Sequence, residues 1–187
     1  MTTTTSLERE VKLRFDSAEE ARRAVLGAGA TPLLGRRLQE DSLLDSEDEA
    51  LRRRRCVLRV RVENGKSRLT FKGPVQASDM ALREEYETVV GDGDMLLRVL
   101  CELGLHVWFR YEKYREEFSH EDVTVAVDET PVGVFVEIEG SEAGIAAMTE
   151  ALGRSSSDCI VDSYRTLFLQ CRDRFGLSGT DMVFEET

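Results

Sequence analysis

Along most of the chain apolar and polar residues alternate one by one, the two-residue period of strands with one buried face. Such runs occupy residues 7–15, 37–45, 57–63, 66–72, 83–90, 107–118, 122–129 and 133–139, and eight strands are enough to close a barrel. Asn64-Gly65 sits between two of them, the signal of a type I′ hairpin. A two-residue loop there pairs Glu63 with Lys66, Arg61 with Arg68, Arg59 with Thr70 and Val57 with Lys72. Elsewhere the spacing turns helical. Residues 17–30 line up Ala21, Ala24, Val25 and Ala28 behind Asp16 or Ser17 as N-cap, and residues 94–103 carry Leu96, Val99, Leu100 and Leu103 up to Gly104. A third helix follows Ser141 with Ile145, Met148 and Leu152, ending at Gly153. A fourth follows Asp162 with Tyr164, Leu167, Phe168 and Cys171, ending near Gly176. The expected organisation is a disordered N-terminus over 1–6, one domain over 7–175 and a weakly ordered tail over 176–187.

The polar faces of these strands are unusual because they carry charge of both signs. The hairpin gathers Arg59, Arg61, Arg68 and Lys72 on one face. Like charges facing each other across a sheet destabilise it, so an anion is expected over them, and removing one cation is expected to relieve the empty protein. Glu8, Glu10 and Lys12 share a face in the first strand, as do Arg83, Glu85 and Glu87 in the fifth. Lys113 and Arg115 stand two apart in the sixth, Asp128 ends the seventh, and Glu137 and Glu139 stand opposite Val134, Val136 and Ile138 in the eighth. Three of the four lysines fall on these faces. Turned inward by closure of the sheet, they suit a polyanion gripped by basic side chains and by divalent cations on paired carboxylates, such as a triphosphate with Mg²⁺ or Mn²⁺. Left open, the same sheet keeps its charged face in water.

Composition narrows the partners. A net charge of −11 argues against nucleic acid and against an anionic membrane surface. The N-terminal stretch has neither a basic nor an apolar signal region, no segment approaches a spanning helix, and a cytoplasmic location is expected. Cys56, Cys101, Cys159 and Cys171 are widely spaced, and His106 and His120 are the only histidines, so any metal site is built from carboxylates. Gly65-Lys66-Ser67 imitates the end of a P-loop, but position 60 is Val and the segment is a hairpin turn.

The order Glu8-Arg9-Glu10-Val11-Lys12, Leu58-Arg59-Val60-Arg61, Leu69-Thr70-Phe71-Lys72-Gly73-Pro74, Arg83-Glu84-Glu85-Tyr86-Glu87, Lys113-Tyr114-Arg115, Val127-Asp128-Glu129, Gly133-Val134-Phe135-Val136-Glu137-Ile138-Glu139 and Ser163-Tyr164 resembles the CYTH superfamily of triphosphate tunnel metalloenzymes over about residues 7–170. The resemblance implies an α+β fold, an eight-stranded antiparallel closed tunnel with about four helices outside. It also implies Lys12, Arg59, Arg61, Lys72, Lys113 and Arg115 as phosphate ligands, with Glu8, Glu10, Glu85, Glu87, Asp128, Glu137 and Glu139 binding or positioning Mg²⁺ or Mn²⁺. Catalysis falls to Glu8, Glu10, Lys12 and Asp128. Two features depart from the family. Leu43-Leu44 replaces an aromatic pair, and no lysine follows Lys113, so a basic residue closing the tunnel from the last helix would be Arg165, Arg172 or Arg174.

Three activities fit this reading. The first is a metal-dependent triphosphatase acting on tripolyphosphate, ATP or thiamine triphosphate, with one cation on the triphosphate and a second activating water. The second is a class IV adenylate cyclase, and the third a binding module without turnover, in each case as a monomer or homodimer. Trp108, Phe109 and Tyr111 are expected to pack rather than to stack a base, and Arg52, Arg53, Arg54 and Arg55 to form a solvated rim.

Overall fold

The alternating runs pair into a closed barrel. The computed structural model describes residues 6–76 and 80–185. Its strands are β1 (Ser6–Phe15), β2 (Thr31–Ser46), β3 (Val57–Glu63), β4 (Lys66–Lys72), β5 (Ala81–Val90), β6 (Leu105–His120), β7 (Val123–Thr130) and β8 (Gly133–Gly140). They close in the order β1-β5-β4-β3-β2-β6-β7-β8, every pair antiparallel. The β3–β4 register is the one the Asn64-Gly65 turn dictates, with Arg61 opposite Arg68 and Arg59 opposite Thr70. Both turn residues have positive φ, 49° at Asn64 and 70° at Gly65, as a type I′ turn requires.

Among the described residues the helices are α1 (Ala18–Gly27), the short α2 (Ala50–Arg53), α3 (Gly93–Glu102), α4 (Glu142–Ala151) and α5 (Tyr164–Cys171), with a 3-10 turn at Ser156–Asp158. Each longer helix opens on a side-chain cap: Ser17 on Glu20 N, Asp92 on Met95 N, Ser141 on Gly144 N and Ser163 on Thr166 N. The α1 and α4 stripes, Ala21 and Val25 with Ile145 and Met148, bury against the outer face of β1, β7 and β8 at Val11, Leu13, Val125, Val136 and Ile138. A second apolar cluster closes one end of the barrel. There Tyr164, Leu167 and Phe168 of α5 meet Leu43, Phe109, Tyr111 and Phe135, making α5 a plug. Phe168 alone, fully buried, contributes about 1.5–3 kcal/mol.

Two long strands exceed their sequence bounds, β2 beginning at Thr31 and β6 at Leu105, because they pair with each other beyond the barrel wall. The step from Leu43↔Phe109 to Leu44↔Val107 leaves Trp108 as an extra residue on β6. Such a bulge re-aims a side chain, and Trp108 reaches the barrel interior.

Residues 1–5 and 186–187 lie outside the described residues. The stretch from Leu177 to Glu185 is not the loose tail that its sequence suggests. Met182 is fully buried, donates its N–H to Arg110 O at 3.0 Å and accepts from Glu112 N at 2.8 Å, running parallel to β6. Asp181 accepts from Arg110 N at 2.8 Å, and the Phe184 and Tyr114 rings lie 5.2 Å apart.

Gly140, where β8 turns into α4, has φ of 156°, and a Cβ there would lie 2.6 Å from Asp122 O and 2.8 Å from Val123 Cγ1. Since one obstacle is backbone, Gly140→Ala is expected to cost at least about 2 kcal/mol. Thermal unfolding should record this as a Tm about 4–8 °C lower.

Candidate functional site

The barrel encloses a cavity of about 830 Å³ lined by the inward faces of its strands. Glu8, Glu10 and Lys12 reach it from β1, Arg59 and Arg61 from β3, Lys72 from β4, Glu85 and Glu87 from β5, Lys113 and Arg115 from β6, and Glu137 and Glu139 from β8. The structure thus brings together on the cavity surface every candidate from the sequence except Asp128, which is fully buried beneath Arg115, Lys113 and Tyr164.

The cations do not face one another unpaired, as the hairpin alone suggested. Lys72 Nζ donates to both oxygens of Glu8, at 2.5 and 2.7 Å, and lies 3.1 Å from Glu85. Lys12 Nζ donates to Glu10 at 2.6 Å and stands 3.4 Å from Glu137. Asp41, which sequence reading left as a plain strand residue, receives Arg61 in a bidentate pair at 2.8 and 3.1 Å. Its inward parity in β2, two residues from Gln39 and from Leu43, was the available signal. Arg59 Nε is 3.4 Å from the same carboxylate without hydrogen-bond geometry, so it remains a buried donor with no hydrogen-bond partner among the described residues. Such a donor is costly unless an acceptor arrives.

Asp128 explains how the β6 cations are held. Its Oδ1 accepts from Arg115 Nε at 2.7 Å, and its Oδ2 accepts from Arg115 at 2.6 Å, Lys113 at 2.8 Å and the Tyr164 hydroxyl at 2.6 Å. Arg115 also donates to Glu137 at 2.5 Å. Burial opposes ionisation of Asp128, but Arg115 and Lys113 hold its pKa below the ordinary range. Burial and the neighbouring Arg115 push Lys113 down to about 8, against the pull of Asp128 and Glu137. Burial works against charge on Lys12 too, yet Glu10 and Glu137 overcome it and its pKa is raised.

Glu139 behaves in the opposite way. It keeps contact with solvent, but partial burial of its carboxyl and the charges of Glu8, Glu137 and Glu10 push its pKa up to about 7. Across the β1–β8 ladder Glu10 sits opposite Glu139 and Lys12 opposite Glu137, which makes this wall the most acidic part of the lumen. Among the described residues no three carboxylate, imidazole or thiol groups already converge on one point, because most lumenal carboxylates are turned to ammonium or guanidinium partners.

At the plugged end, the Trp108 ring lies under the guanidiniums of Arg52 at 4.3 Å and Arg165 at 4.7 Å. Arg52 is fixed by Asp45 at 3.3 Å and Glu49 at 2.7 Å, so it is not a freely solvated rim residue. Arg55 and Arg165 also line the cavity, whereas Arg53, Arg54, Arg172 and Arg174 do not. Burial and Arg52 lower the Arg165 pKa. Phe109 and Tyr111 are buried and packed together, as expected of strand aromatics.

The CYTH domain model matches residues 6–158. The chain belongs to the CYTH domain family. A candidate adenylate cyclase from Methanocaldococcus jannaschii is 27% identical over 136 residues, 72% of this chain and 77% of that protein. Among solved CYTH-like folds, a candidate adenylate cyclase from Vibrio parahaemolyticus superposes with a TM-score of 0.77 at 20% identity, covering 89% of this chain and 99% of the other. The PH1012 protein of Pyrococcus horikoshii gives 0.74 at 26%, covering 86% and 98%. The Hippeastrum protein HpAC1, described as a candidate adenylyl cyclase with a dominant triphosphatase activity, gives 0.63 at 16%, covering 94% and 98%.

The plug helix lies beyond the matched CYTH segment. Tyr164, expected from the sequence to be a buried helix ring, lines the cavity, as do Arg68 and Arg83 of the charged faces and Glu117, which the sequence did not single out although it has the inward parity of β6. His106 and His120 do not line it. No helix of the described residues is long and apolar enough to cross a membrane.

Proposed function

We propose that this CYTH protein is a metal-dependent phosphohydrolase that cleaves the terminal phosphoanhydride of a triphosphate, with inorganic tripolyphosphate as the simplest substrate. The observation that carries the reading is the division of one lumen into an anion clamp and an acidic wall. Lys72, Arg59, Arg61, Lys113 and Arg115 supply the clamp, and the orphaned Arg59 Nε is a donor ready for a phosphate oxygen. Glu8, Glu10, Glu137 and Glu139 supply hard oxygen donors, and the Glu139 pKa is raised by partial burial and by the neighbouring carboxylates, whose crowded charge a divalent cation would relieve. These four would hold Mg²⁺ or Mn²⁺, with Glu85 and Glu87 in the same lumen. The ion supplies Lewis-acid polarisation and neutralises phosphate charge.

The chain's own residues perform the rest. Arg59, Arg61 and Lys72 hold the triphosphate along β3 and β4, and Lys113 and Arg115, kept in place by Asp128, face it from β6. Water attacks the terminal phosphorus, the bridging P–O bond breaks, and the charge gathering on the leaving pyrophosphate is met by the clamp. Asp128, buried and bonded to Arg115, Lys113 and Tyr164, acts in this scheme as counter-ion and not as base or metal ligand.

Adenylate cyclase is the second reading, favoured by the name of the M. jannaschii relative. A cyclase must seat adenine so that the ribose 3′-hydroxyl lies in line with the α-phosphorus. Here the Trp108 ring is already under two guanidiniums and Phe109 is buried away from the cavity, which leaves Tyr111 as the one ring of the three facing the lumen uncovered by a guanidinium and weighs against a base slot at the plugged end.

The test is an assay with tripolyphosphate, ATP and thiamine triphosphate, reading phosphate, pyrophosphate and cyclic AMP separately. EDTA should abolish phosphate release, Mg²⁺ or Mn²⁺ should restore it, and Ca²⁺, with its looser coordination, should inhibit. Phosphate from tripolyphosphate should exceed cyclic AMP from ATP by at least about tenfold. Stoichiometric cyclic AMP and pyrophosphate, with little phosphate from tripolyphosphate, would promote the cyclase.

A further inference from the structure

We infer that Tyr164 is a positioning residue of the anion clamp: delivered by the plug helix α5, its phenol fixes Asp128 in the orientation that presents Lys113 and Arg115 to the lumen. The inference rests on the clamp reading above and adds to it a residue outside the strands and outside the matched segment 6–158.

A carboxylate has about four acceptor positions. At Asp128 the load is uneven: Oδ1 accepts only from Arg115 Nε, while Oδ2 is shared by Arg115, Lys113 and the Tyr164 hydroxyl. Without the phenol, Oδ2 of this fully buried carboxylate is left to Lys113 and Arg115 alone, which can then close further onto it and away from the cavity. The ring adds a second hold. Its face lies 4.8 Å from Lys113 Nζ and 5.3 Å from Lys12 Nζ, so both ammoniums are steadied by the same π-surface.

The tyrosine is itself immobilised. Phe135 meets its ring edge-on at 5.7 Å, Tyr111 lies 6.0 Å away, and Leu167 and Phe168 of the same helix are buried beside it. Packing therefore fixes the tyrosine, the tyrosine fixes the carboxylate, and the carboxylate fixes two cations, the layered support that a precise site needs. An ordinary buried tyrosine also finds a partner for its hydroxyl. The difference is whether phosphate handling changes when only that hydroxyl is removed.

The experiment compares wild-type protein with Tyr164→Phe, Asp128→Asn and the double variant. Readouts are tripolyphosphate affinity without metal by calorimetry, kcat and KM with Mg²⁺, and Tm. Tyr164→Phe keeps the ring, so Tm should move by less than about 3 °C. Its kcat/KM should fall about tenfold, with weaker metal-free binding. If Tyr164 acts through Asp128, the double variant should match Asp128→Asn within about twofold, because the second loss has nothing left to act on. Val25→Ala, in the α1 cluster on the outer face of the barrel, should lower Tm while keeping kcat/KM per folded molecule.

Wild-type kcat/KM and affinity in Tyr164→Phe would overturn the inference even if Asp128→Asn does not fold. Losses that multiply in the double variant would also overturn it, since they would mean direct contact between Tyr164 and substrate. Wild-type protein that fails to bind tripolyphosphate would remove the function reading, and this inference with it.

Discussion

Glu139→Gln is expected to lower kcat for tripolyphosphate by at least about a thousandfold, close to 4 kcal/mol of barrier, while leaving the folded protein as stable as before or more so. The two halves have one cause. Glu139 sits among Glu8, Glu10 and Glu137 with its pKa pushed to about 7, so its charge is unfavourable until a cation arrives. Between its ordinary value of 4.5 and about 7 the folded protein retains a proton that the unfolded chain has already released. The contribution of Glu139 to stability therefore falls as pH rises through that window and stays low above it. Glutamine carries no charge and escapes the loss. Thermal melts of the metal-free proteins should nearly coincide at pH 5, with the variant about 2 °C higher at pH 8, a gain kept small by solvent screening. Undiminished turnover would remove the β8 wall from the site, and a variant less stable at pH 8 would contradict the charge-crowding account.

Millimolar tripolyphosphate with Mg²⁺ is expected to raise Tm by about 5–10 °C. Ligand at a hundred times Kd stabilises by about 2.7 kcal/mol, and a domain of this size gains about 2–4 °C per kcal/mol. Lys72→Ala should at least halve the shift. It should also lower Tm of the unliganded protein, since Lys72 stands within 3.1 Å of both Glu8 and Glu85, and among the described residues its loss would leave Glu8 only Arg83 at 3.3 Å and Glu85 only Arg59 at 3.9 Å. Here the structure reverses the sequence-based expectation that deleting a lumenal cation relieves strain. Differential scanning fluorimetry of both proteins, with and without ligand, decides the matter. A shift that survives intact in the variant would take Lys72 out of the clamp.

Why that expectation failed shows what a linear pattern can carry. Alternation fixes which residues share a face, and so the β3–β4 register and the inward set on β1, β6 and β8 were legible, down to Lys12, Lys113 and Glu137. Alternation says nothing about which charge on one strand reaches which on the next. The pairing of Lys72 with Glu8, 64 positions away, exists only because β5 separates β4 from β1 in the closed sheet. Asp128 was legible as an inward carboxylate opposite Arg115, but its complete burial also involves Tyr164 arriving from α5. Trp108 enters the lumen through a bulge that breaks parity, and parity was the rule in use. The last stretch, Leu177 to Glu185, has no periodicity, and it is held by the bridge of Met182 to β6, the burial of Met182 and the contacts of Asp181 and Phe184 with Arg110, Glu112 and Tyr114.

The place of β1 has a consequence for how the molecule is made. This first strand is hydrogen-bonded on one side to β5 and on the other to β8, so Lys12 finds Glu137 across 125 residues of chain. Contacts of such sequence separation slow folding, because the loop must close before the pairing rewards it. As the chain leaves the ribosome, strands two to seven can associate while the seam between first and eighth is still open. Until β8 emerges, Lys12 and Glu10 lack the wall that completes their surroundings, and the strand edge beside them is exposed to neighbouring nascent chains. Synthesis of this protein therefore passes through a window, closed only by its last strand, in which a triphosphate has no tunnel to enter.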